Sequence, residues 1–256
     1  MEAVRKAPEE ADVVTAAVLV IGDEILSGRT KDKNIGYIAE YLTNLGVELR
    51  EVRVVPDIED EIVDALNAMR KRYNYVFTTG GIGPTHDDIT ADSVAKAFGV
   101  GIDYHDQAVA LLRERFGGGY LNEARMRMAR VPHGADLILN KVSAAPGFRI
   151  GNVHVMAGVP SIMQGMLDEI APTLKTGVKV ESETIRADAR EGDVGTALGE
   201  VAKAHPAVTI GSYPFFDDKS GPNTNLVIRS RDPQALAVAK AAVEKMLADV
   251  KASLKP

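Results

Sequence analysis

Residues 75 to 92 read Tyr-Val-Phe-Thr-Thr-Gly-Gly-Ile-Gly-Pro-Thr-His-Asp-Asp-Ile-Thr-Ala-Asp. An apolar run, a glycine-rich turn and a capping-type cluster in that order predict a buried strand over 75–79, a tight turn and a helix starting near Asp88 or Thr90. Gly80, Gly81 and Gly83 free the backbone to take positive φ and to approach a ligand closely. The helix behind them would aim unpaired N–H groups at the turn, which describes a phosphate site in physical terms. Asp87 and Asp88 stand in the same turn and would repel a bare phosphate. A divalent cation between carboxylates and phosphate reconciles the two features. The turn is neither a Walker A loop, since no Gly-Lys-Ser/Thr follows, nor the dinucleotide fingerprint, since His86 stands where its last glycine belongs. The same residues also read as a plain strand-to-helix connection capped by Asp88 or Thr90.

What precedes the turn sets the fold class. Ala16 to Ile21 is a short apolar run ending in Gly22-Asp23-Glu24. In an open α/β sheet, an acidic pair at the carboxyl end of a strand lies where such sheets bind ligands, although two solvated loop carboxylates would look the same. Ile35, Ile38, Leu42 and Leu45 mark a helix face that Gly46 ends. Val47 to Val55 reads as a strand. Asp57 is expected to cap a helix that buries Ile62, Ala65, Leu66 and Met69. The order β-α-β-α-β predicts a doubly wound sheet with helices on both faces.

Beyond the glycine turn, Val94 and Phe98 mark one helix and Val109, Leu112 and Phe116 another, broken at Gly117-Gly118-Gly119. A short helix over 122–129 carries Arg125 and Arg127, and Arg130 follows; these arginines read as solvated, with one able to reach a phosphate. Strands are expected over 136–140 and 153–157, with Ala145-Pro146-Gly147-Phe148 as a turn between them. Gly158-Val159-Pro160-Ser161 opens a helix, with Pro160 in its first turn. After Pro172 the order changes to β-α-β-β-α. This predicts a tail over 1–13, a larger α/β domain over 14–174 and a small α+β domain over 175–256. The link Pro214 to Asn223, which holds Asp217-Asp218-Lys219, reads as an exposed turn.

Composition excludes several classes. The chain has 256 residues, a formal net charge of −6 and no cysteine. No nucleic-acid partner, disulfide framework or thiolate nucleophile is therefore expected. The apolar run at 16–21 is too short to span a bilayer and the charged start is no signal peptide, so a cytoplasmic location without membrane contact is expected. His105, His133, His154 and His205 show no metal-ligand spacing and read as surface or capping residues.

Gly22-Asp23-Glu24-Ile25-Leu26-x-Gly28, the block Thr78-Thr79-Gly80-Gly81-Ile82-Gly83-Pro84-Thr85-x-Asp87-Asp88-x-Thr90, the turn Ala145 to Phe148 and Gly158 to Ser161 together resemble the molybdopterin-binding-like domain of the competence-damage-inducible protein A family. The same domain begins animal FAD synthases, and gephyrin-type proteins are similar at a greater distance. The second unit, with Gly211-Ser212-Tyr213-Pro214, resembles the small KH-type domain that follows in the first family. The resemblance implies a three-layer α/β/α sandwich and a nucleotide- or pterin-type ligand, molybdopterin included. It implies a site drawn from Gly22, Asp23, Glu24, Thr79, Gly80, Gly81, Gly83, Thr85, Thr90, Pro146, Gly147, Gly158, Pro160 and Ser161. It implies a divalent metal (Mg, Mn or Co) near Asp88; with that, Asp87 and Asp88 read as catalytic, Asp23 or Glu24 as the metal's second carboxylate, and Asp87 or His86 as the base that takes the water's proton. The activity implied is hydrolysis of a nucleotide pyrophosphate such as ADP-ribose or FAD. The alternatives are a non-catalytic molybdopterin or nucleotide module, or a molybdopterin adenylyltransferase. The chain departs from the family pattern at Ser143, Ala144, Ala157 and Ile162. No amidase domain follows, so no deamidation of nicotinamide mononucleotide is expected. The small domain reads as a dimerisation unit and not an RNA clamp, because two aspartates precede Lys219. A homodimer or larger homo-oligomer is expected.

Overall fold

Alternation along the first strand decides the layering. In the computed structural model, which describes residues 13–219 and 221–253, strand β1 (Val14–Ile21) is buried from Ala16 to its end. Successive side chains of a strand point to opposite faces. Ala17, Leu19 and Ile21 accordingly join one core and Ala16, Val18 and Val20 the other. A strand buried on both faces needs a helical layer on each side. Helices α3 (Glu59–Arg72) and α4 (Thr90–Phe98) supply Ile62, Leu66, Met69 and Val94 to the first core. Helices α2 (Asn34–Leu45) and α7 (Pro160–Ile170) supply Ile38, Leu42, Met163 and Leu167 to the second. Each such fully buried side chain contributes roughly 1.5–3 kcal/mol of transfer free energy. The result is a three-layer α/β/α sandwich.

The central sheet has six strands in the order β2-β1-β3-β8-β7-β6, with β2 (Val47–Val55), β3 (Tyr75–Thr79), β6 (Asp136–Ile138), β7 (Gly147–Ile150) and β8 (Val153–Met156). The first four are parallel; β7 runs antiparallel to β8, and β6 to β7. The sheet is therefore doubly wound at one side and a meander at the other. Gly147 and Phe148, read from sequence as a turn, instead open β7. A Cβ on Gly147 would strike the Val155 carbonyl oxygen across the pair, so the glycine serves close strand approach. Two three-residue strands, β4 (Ile102–Tyr104) and β5 (Arg130–Pro132), form a separate ribbon too short to leave a periodic signal. Between them lie α5 (Asp106–Tyr120), which breaks at Gly117 with φ 65° and ψ 164°, and α6 (Glu123–Met126).

Further readings need correction. Asp57 does not cap α3, whose N-cap is Ile58 without a side-chain bond; its carboxylate is engaged elsewhere. His154 is no surface residue. It is 2% exposed on β8, with its ring stacked on Phe77 at 5.1 Å between centroids. Burial, and then the charge of Arg149, push its pKa down to about 4, so the ring is neutral near pH 7.

The chain divides into two compact units, Val14–Gly177 and a second beginning at Val178. The expected tail lies, but for Val13, outside the described residues. In the second unit β9 (Glu181–Arg186), β10 (Thr209–Asp217) and β11 (Gly221–Ser230) form an antiparallel sheet in the order β10-β11-β9. Helices α8 (Glu191–Ala204) and α9 (Pro233–Ser253) complete it. Leu236, Ala239, Val243 and Leu247 form the α9 stripe that meets Leu226 and Ile228 of β11. The stretch 214–223, read as a loop, is mostly strand: pairing continues to Asp217 opposite Gly221.

Candidate functional site

The carboxyl ends of β1 and β3 lie side by side in register, Val20 opposite Thr79, and each gives way to glycine. After β1, Gly22 leads into α1 (Asp23–Leu26). A Cβ on Gly22 would fall 2.5 Å from Glu24 Oε2, so the Glu24 carboxylate folds over that turn. After β3, Gly80 and Gly81 adopt φ of 104° and 66°, the left-handed region that favours glycine. A Cβ on Gly80 would strike the Ile21 carbonyl oxygen, and one on Gly81 would strike Thr90 Oγ1. Gly83 has no positive φ; a Cβ there would lie 2.7 Å from Asp88 Oδ2. Two of the three turn glycines thus serve conformation as well as space, and Gly83 serves close approach.

Helix α4 is stitched to the turn through its first residue. Thr90 N–H donates to Gly81 O and Thr90 Oγ1 to Gly80 O, both at 3.0 Å. Thr90 is not the N-cap; Ile89 is. Asp88 does not cap the helix either. Its Oδ2 accepts from Thr85 N–H at 2.8 Å and from Thr85 Oγ1 at 2.5 Å. His86 and Asp87 stand out into solvent, with side chains 99% and 64% exposed.

Two hollows adjoin the turn. The larger is a cavity of about 250 Å³ walled by Glu24, residues 30–34, Thr79, Gly80, Gly158 and Pro160. Asn34 is 5% exposed at the first turn of α2, and its Nδ2 donates to Gly158 O at 2.8 Å. Asn34 Oδ1 and Thr79 Oγ1 are buried without a hydrogen-bond partner. Unpaired buried acceptors and hydroxyls are costly in a finished interior. Lys31 and Lys33 stand in the wall with two carboxylates, Glu24 and Asp32. The smaller hollow, about 20 Å³, lies against Gly81, Gly83, Asp88, Arg127, Arg130 and Pro146.

Of the residues named from sequence, the structure gathers Glu24, Thr79, Gly80, Gly158 and Pro160 on the cavity, with Gly22 and Asp23 adjoining Glu24. It gathers Gly81, Gly83, Asp88 and Pro146 on the hollow. Thr85 and Thr90 act through Asp88 and Gly80. Ser161 is exposed in the first turn of α7, and Gly147 belongs to the sheet. Sequence reading missed Lys31, Lys33 and Asn34. An asparagine placed on the apolar stripe of a helix, four residues before Ile38, was the available signal. It also took Arg127 and Arg130 for solvated side chains. Arg127 Nη2 donates to Asp88 O at 3.3 Å, and Arg130 forms a two-pronged pair with Asp92 at 2.6 and 2.8 Å.

A divalent cation was tested against these donors. Among the described residues no group of three or more His, Cys, Asp or Glu side chains could hold a metal by itself. Magnesium commonly takes one or two carboxylates and completes its shell with phosphate oxygens and water. Asp88 lines the smaller hollow and Glu24 the larger cavity.

A three-layer sandwich with a glycine-floored cavity beyond the carboxyl ends of its parallel strands is the arrangement in which open α/β sheets bind ligands. Residues 17–176 match the family model described as a probable molybdopterin binding domain, and residues 179–254 match the FAD synthase middle domain. The chain belongs to the molybdopterin-binding-domain family. A protein of Aeropyrum pernix is 34% identical over 90% of this chain and 91% of its own length. A probable FAD synthase of Caenorhabditis briggsae is 30% identical over 91% of this chain, which spans about half (49%) of that protein. The crystal structure of a CinA protein of unknown function from Thermoplasma acidophilum superposes with a TM-score of 0.60 at 33% identity, covering 63% of this chain and 98% of that one. Among the described residues no helix is long and apolar enough to cross a membrane.

Proposed function

We propose that the larger unit binds a nucleotide- or pterin-type phosphate ligand in the 250 Å³ cavity and, with a divalent cation, hydrolyses a pyrophosphate bond of the ADP-ribose or FAD type. The observation that carries this reading is the pair of buried, unpartnered polar atoms, Asn34 Oδ1 and Thr79 Oγ1, in the wall beside the glycine floor. Asn34 and Thr79 would read ring or ribose polar groups, and Lys31 and Lys33 would draw in the anion. The N–H groups of the turn would hold phosphate oxygens and stabilise charge developing on the leaving phosphate. Asp87 or His86, both at the exposed rim, would take the proton of the attacking water. A bound cation on Asp88, with Asp23, supplies charge neutralisation and a lowered water pKa. The matches to an FAD synthase middle domain and to probable FAD synthases support a flavin- or adenine-type nucleotide.

One observation favours a second reading. Asp88 Oδ2 is already occupied by two donors of Thr85, as suits a loop built to bind without turnover. Self-association into a homodimer or larger homo-oligomer belongs to the same proposal. The test is incubation of pure protein with ADP-ribose, FAD and NAD, each with Mg²⁺, Mn²⁺ or Co²⁺, and mass spectrometry of the products. Mononucleotide products support hydrolysis. Binding without products supports the module, and absence of both defeats the site.

A further inference from the structure

We infer that this chain pairs with a second copy of itself by reciprocal docking, the β10–β11 hairpin of each copy seating Phe216 in a groove on the larger unit of the other. This names the surface for the self-association proposed above and rests on that reading. It is independent of the ligand and of hydrolysis.

The sheet of the second unit is uneven in length. β9 pairs with β11 only from Ser230 back to Asn225, and Ala187 N–H closes that side on Thr224 O at 2.8 Å. The β10–β11 pairing continues past this point through Phe215–Asn223, Phe216–Pro222 and Asp217–Gly221. At about 3.4 Å per residue, this two-stranded extension is roughly 10 Å long. Arg186 braces one face of it: Nη1 donates to Asp217 Oδ2 at 2.9 Å, and the guanidinium lies 5.4 Å from the Phe215 ring centre. Alternation puts Phe216 on the opposite face. Phe216 is 73% exposed, and its cross-strand partner Pro222 and the same-face Pro214 are exposed too. One exposed apolar side chain is ordinary. Three neighbouring ones on an overhanging hairpin form a patch, and a two-stranded ribbon has little stability of its own.

The larger unit carries a matching concavity. Between α5 and residues 141–144 lies an open groove of about 400 Å³. Leu111, Val142 and Ala144 form its apolar wall, and Val142 is 51% exposed. Arg115, Lys141 and Glu114 stand around it. The hairpin presents the converse charges, since Asp218 and Lys219 follow Phe216 directly after Asp217. Among the described residues no salt bridge takes up any of these five charged side chains. With Phe216 in the groove, Asp218 meets the two cations and Lys219 the carboxylate. Such charges set register and partner choice, and the buried ring supplies the attraction.

A second copy is the occupant because each chain carries both halves. Docking about a two-fold axis fills both grooves and engages both arms, which closes the assembly; one-way docking would leave an arm and a groove open to further copies. Each Phe buries roughly 150–250 Å². Two arms with their prolines, and the groove walls facing them, reach the low end of specific interfaces, about 1,200 Å² in total.

The test measures dimerisation of the whole chain by sedimentation equilibrium. F216S removes the ring at an exposed position. D218K and K141D each reverse one charge, and D218K/K141D exchanges them. Expected are a dimeric parent, at least tenfold weaker dimerisation in F216S, several-fold weaker dimerisation in each reversal, and recovery in the exchange to within about threefold of the parent. The melting temperature of the monomer should not change. The chain has no native cysteine, so in V142C/P222C the introduced thiols have no competitors. Mild oxidation should give a disulfide-linked dimer on a non-reducing gel. A monomeric parent, an F216S variant that dimerises like the parent, an exchange without recovery, or an internally linked V142C/P222C monomer would each overturn the inference. A dimer indifferent to every variant would leave self-association standing and move its surface elsewhere. A monomeric parent that still binds nucleotide would end self-association and leave the ligand site standing.

Discussion

Asp57 reaches from the end of β2 to the end of β1, where its Oδ2 accepts the Asp23 N–H at 2.9 Å. The bond fixes the start of α1 and gathers Asp57 with Asp23, Glu24 and Asp87. Burial first, and then those three charges, raise the Asp57 carboxyl above its ordinary value, while the Asp23 N–H opposes the shift. A raised carboxyl means the folded chain keeps a proton that the unfolded chain releases. Stability therefore falls as pH rises from the ordinary value through the folded one.

Asp57→Asn keeps an acceptor for Asp23 and removes the repulsion. The variant should lose that downward slope and match or exceed the parent's stability near neutral pH. Urea unfolding between about pH 4 and 8 checks this. A marked loss of stability near pH 7 would mean that the charge, and not the acceptor, holds the α1 turn.

Gly81→Ala should destabilise the fold as well as the site. The residue sits at φ 66° and the new Cβ would displace Thr90 Oγ1 from Gly80 O. Left-handed strain of about 1–2 kcal/mol adds to about 1 kcal/mol for the lost hydrogen bond. Gly83→Ala has no positive φ to oppose it and presses only on the Asp88 carboxylate. It should fold nearly as the parent while weakening the ligand. Denaturation midpoints separate the two; equal midpoints would remove the conformational argument for Gly81.

Asp88→Asn should weaken Mg²⁺ affinity and stop any hydrolysis while Thr85 keeps an acceptor. Asp88→Ala should in addition free Thr85 and loosen the 83–88 loop. Calorimetry with metal, and amide exchange of the Thr85 N–H, provide the readouts. Unchanged metal affinity in Asp88→Asn would remove Asp88 from the cation's shell.

His154 imposes a pH dependence opposite in sign to that of Asp57. Its pKa is depressed from 6.5 to about 4 by burial and Arg149. The unfolded chain gains a proton below pH 6.5 that the folded chain refuses, so the stability contribution is complete above that value and is lost as pH falls toward 4. The full loss is roughly 3 kcal/mol for a shift of this size. His154→Leu should flatten stability over that window, read by urea unfolding at pH 7 and about pH 5. A parent with no loss of stability between them would contradict the burial of a neutral ring.

Much of this was legible in the sequence for a local reason. β3 and the glycine turn are contiguous, and the apolar run, left-handed glycines and helix signal lie within one stretch. Gly80 and Gly81 could be read because backbone conformation leaves a residue-type mark. What escaped depends on partners distant in the chain. Asn34 meets Gly158 across 124 residues, Asp57 leaves its expected cap to meet Asp23 across 34, and Arg127 meets Asp88 across 39. Gly147 misled for the same reason: a turn glycine and a glycine packed under a neighbouring carbonyl look alike until the partner strand is known.

The last prediction concerns where the chain can be divided. A cut near Leu174, suggested by the change in element order after Pro172, would remove two contacts that bind the following residues to the larger unit. Lys175 N–H donates to Tyr75 Oη at 2.8 Å, and Gly177 N–H to Gly46 O at 3.2 Å. The second anchors the chain to the left-handed glycine that ends α2, and the first to the start of β3. Division after Gly177 keeps them and separates the two cores, whose buried sets share no residue. The piece 13–177 should therefore fold cooperatively and bind nucleotide like the whole chain, while 13–174 should be less stable by about 1–2 kcal/mol for two lost hydrogen bonds. Circular dichroism melts, nucleotide titration and light-scattering mass of both pieces check this. A folded 13–177 that no longer binds would show that the second unit completes the site, and a fall in mass to the monomer alone would assign self-association to the residues removed.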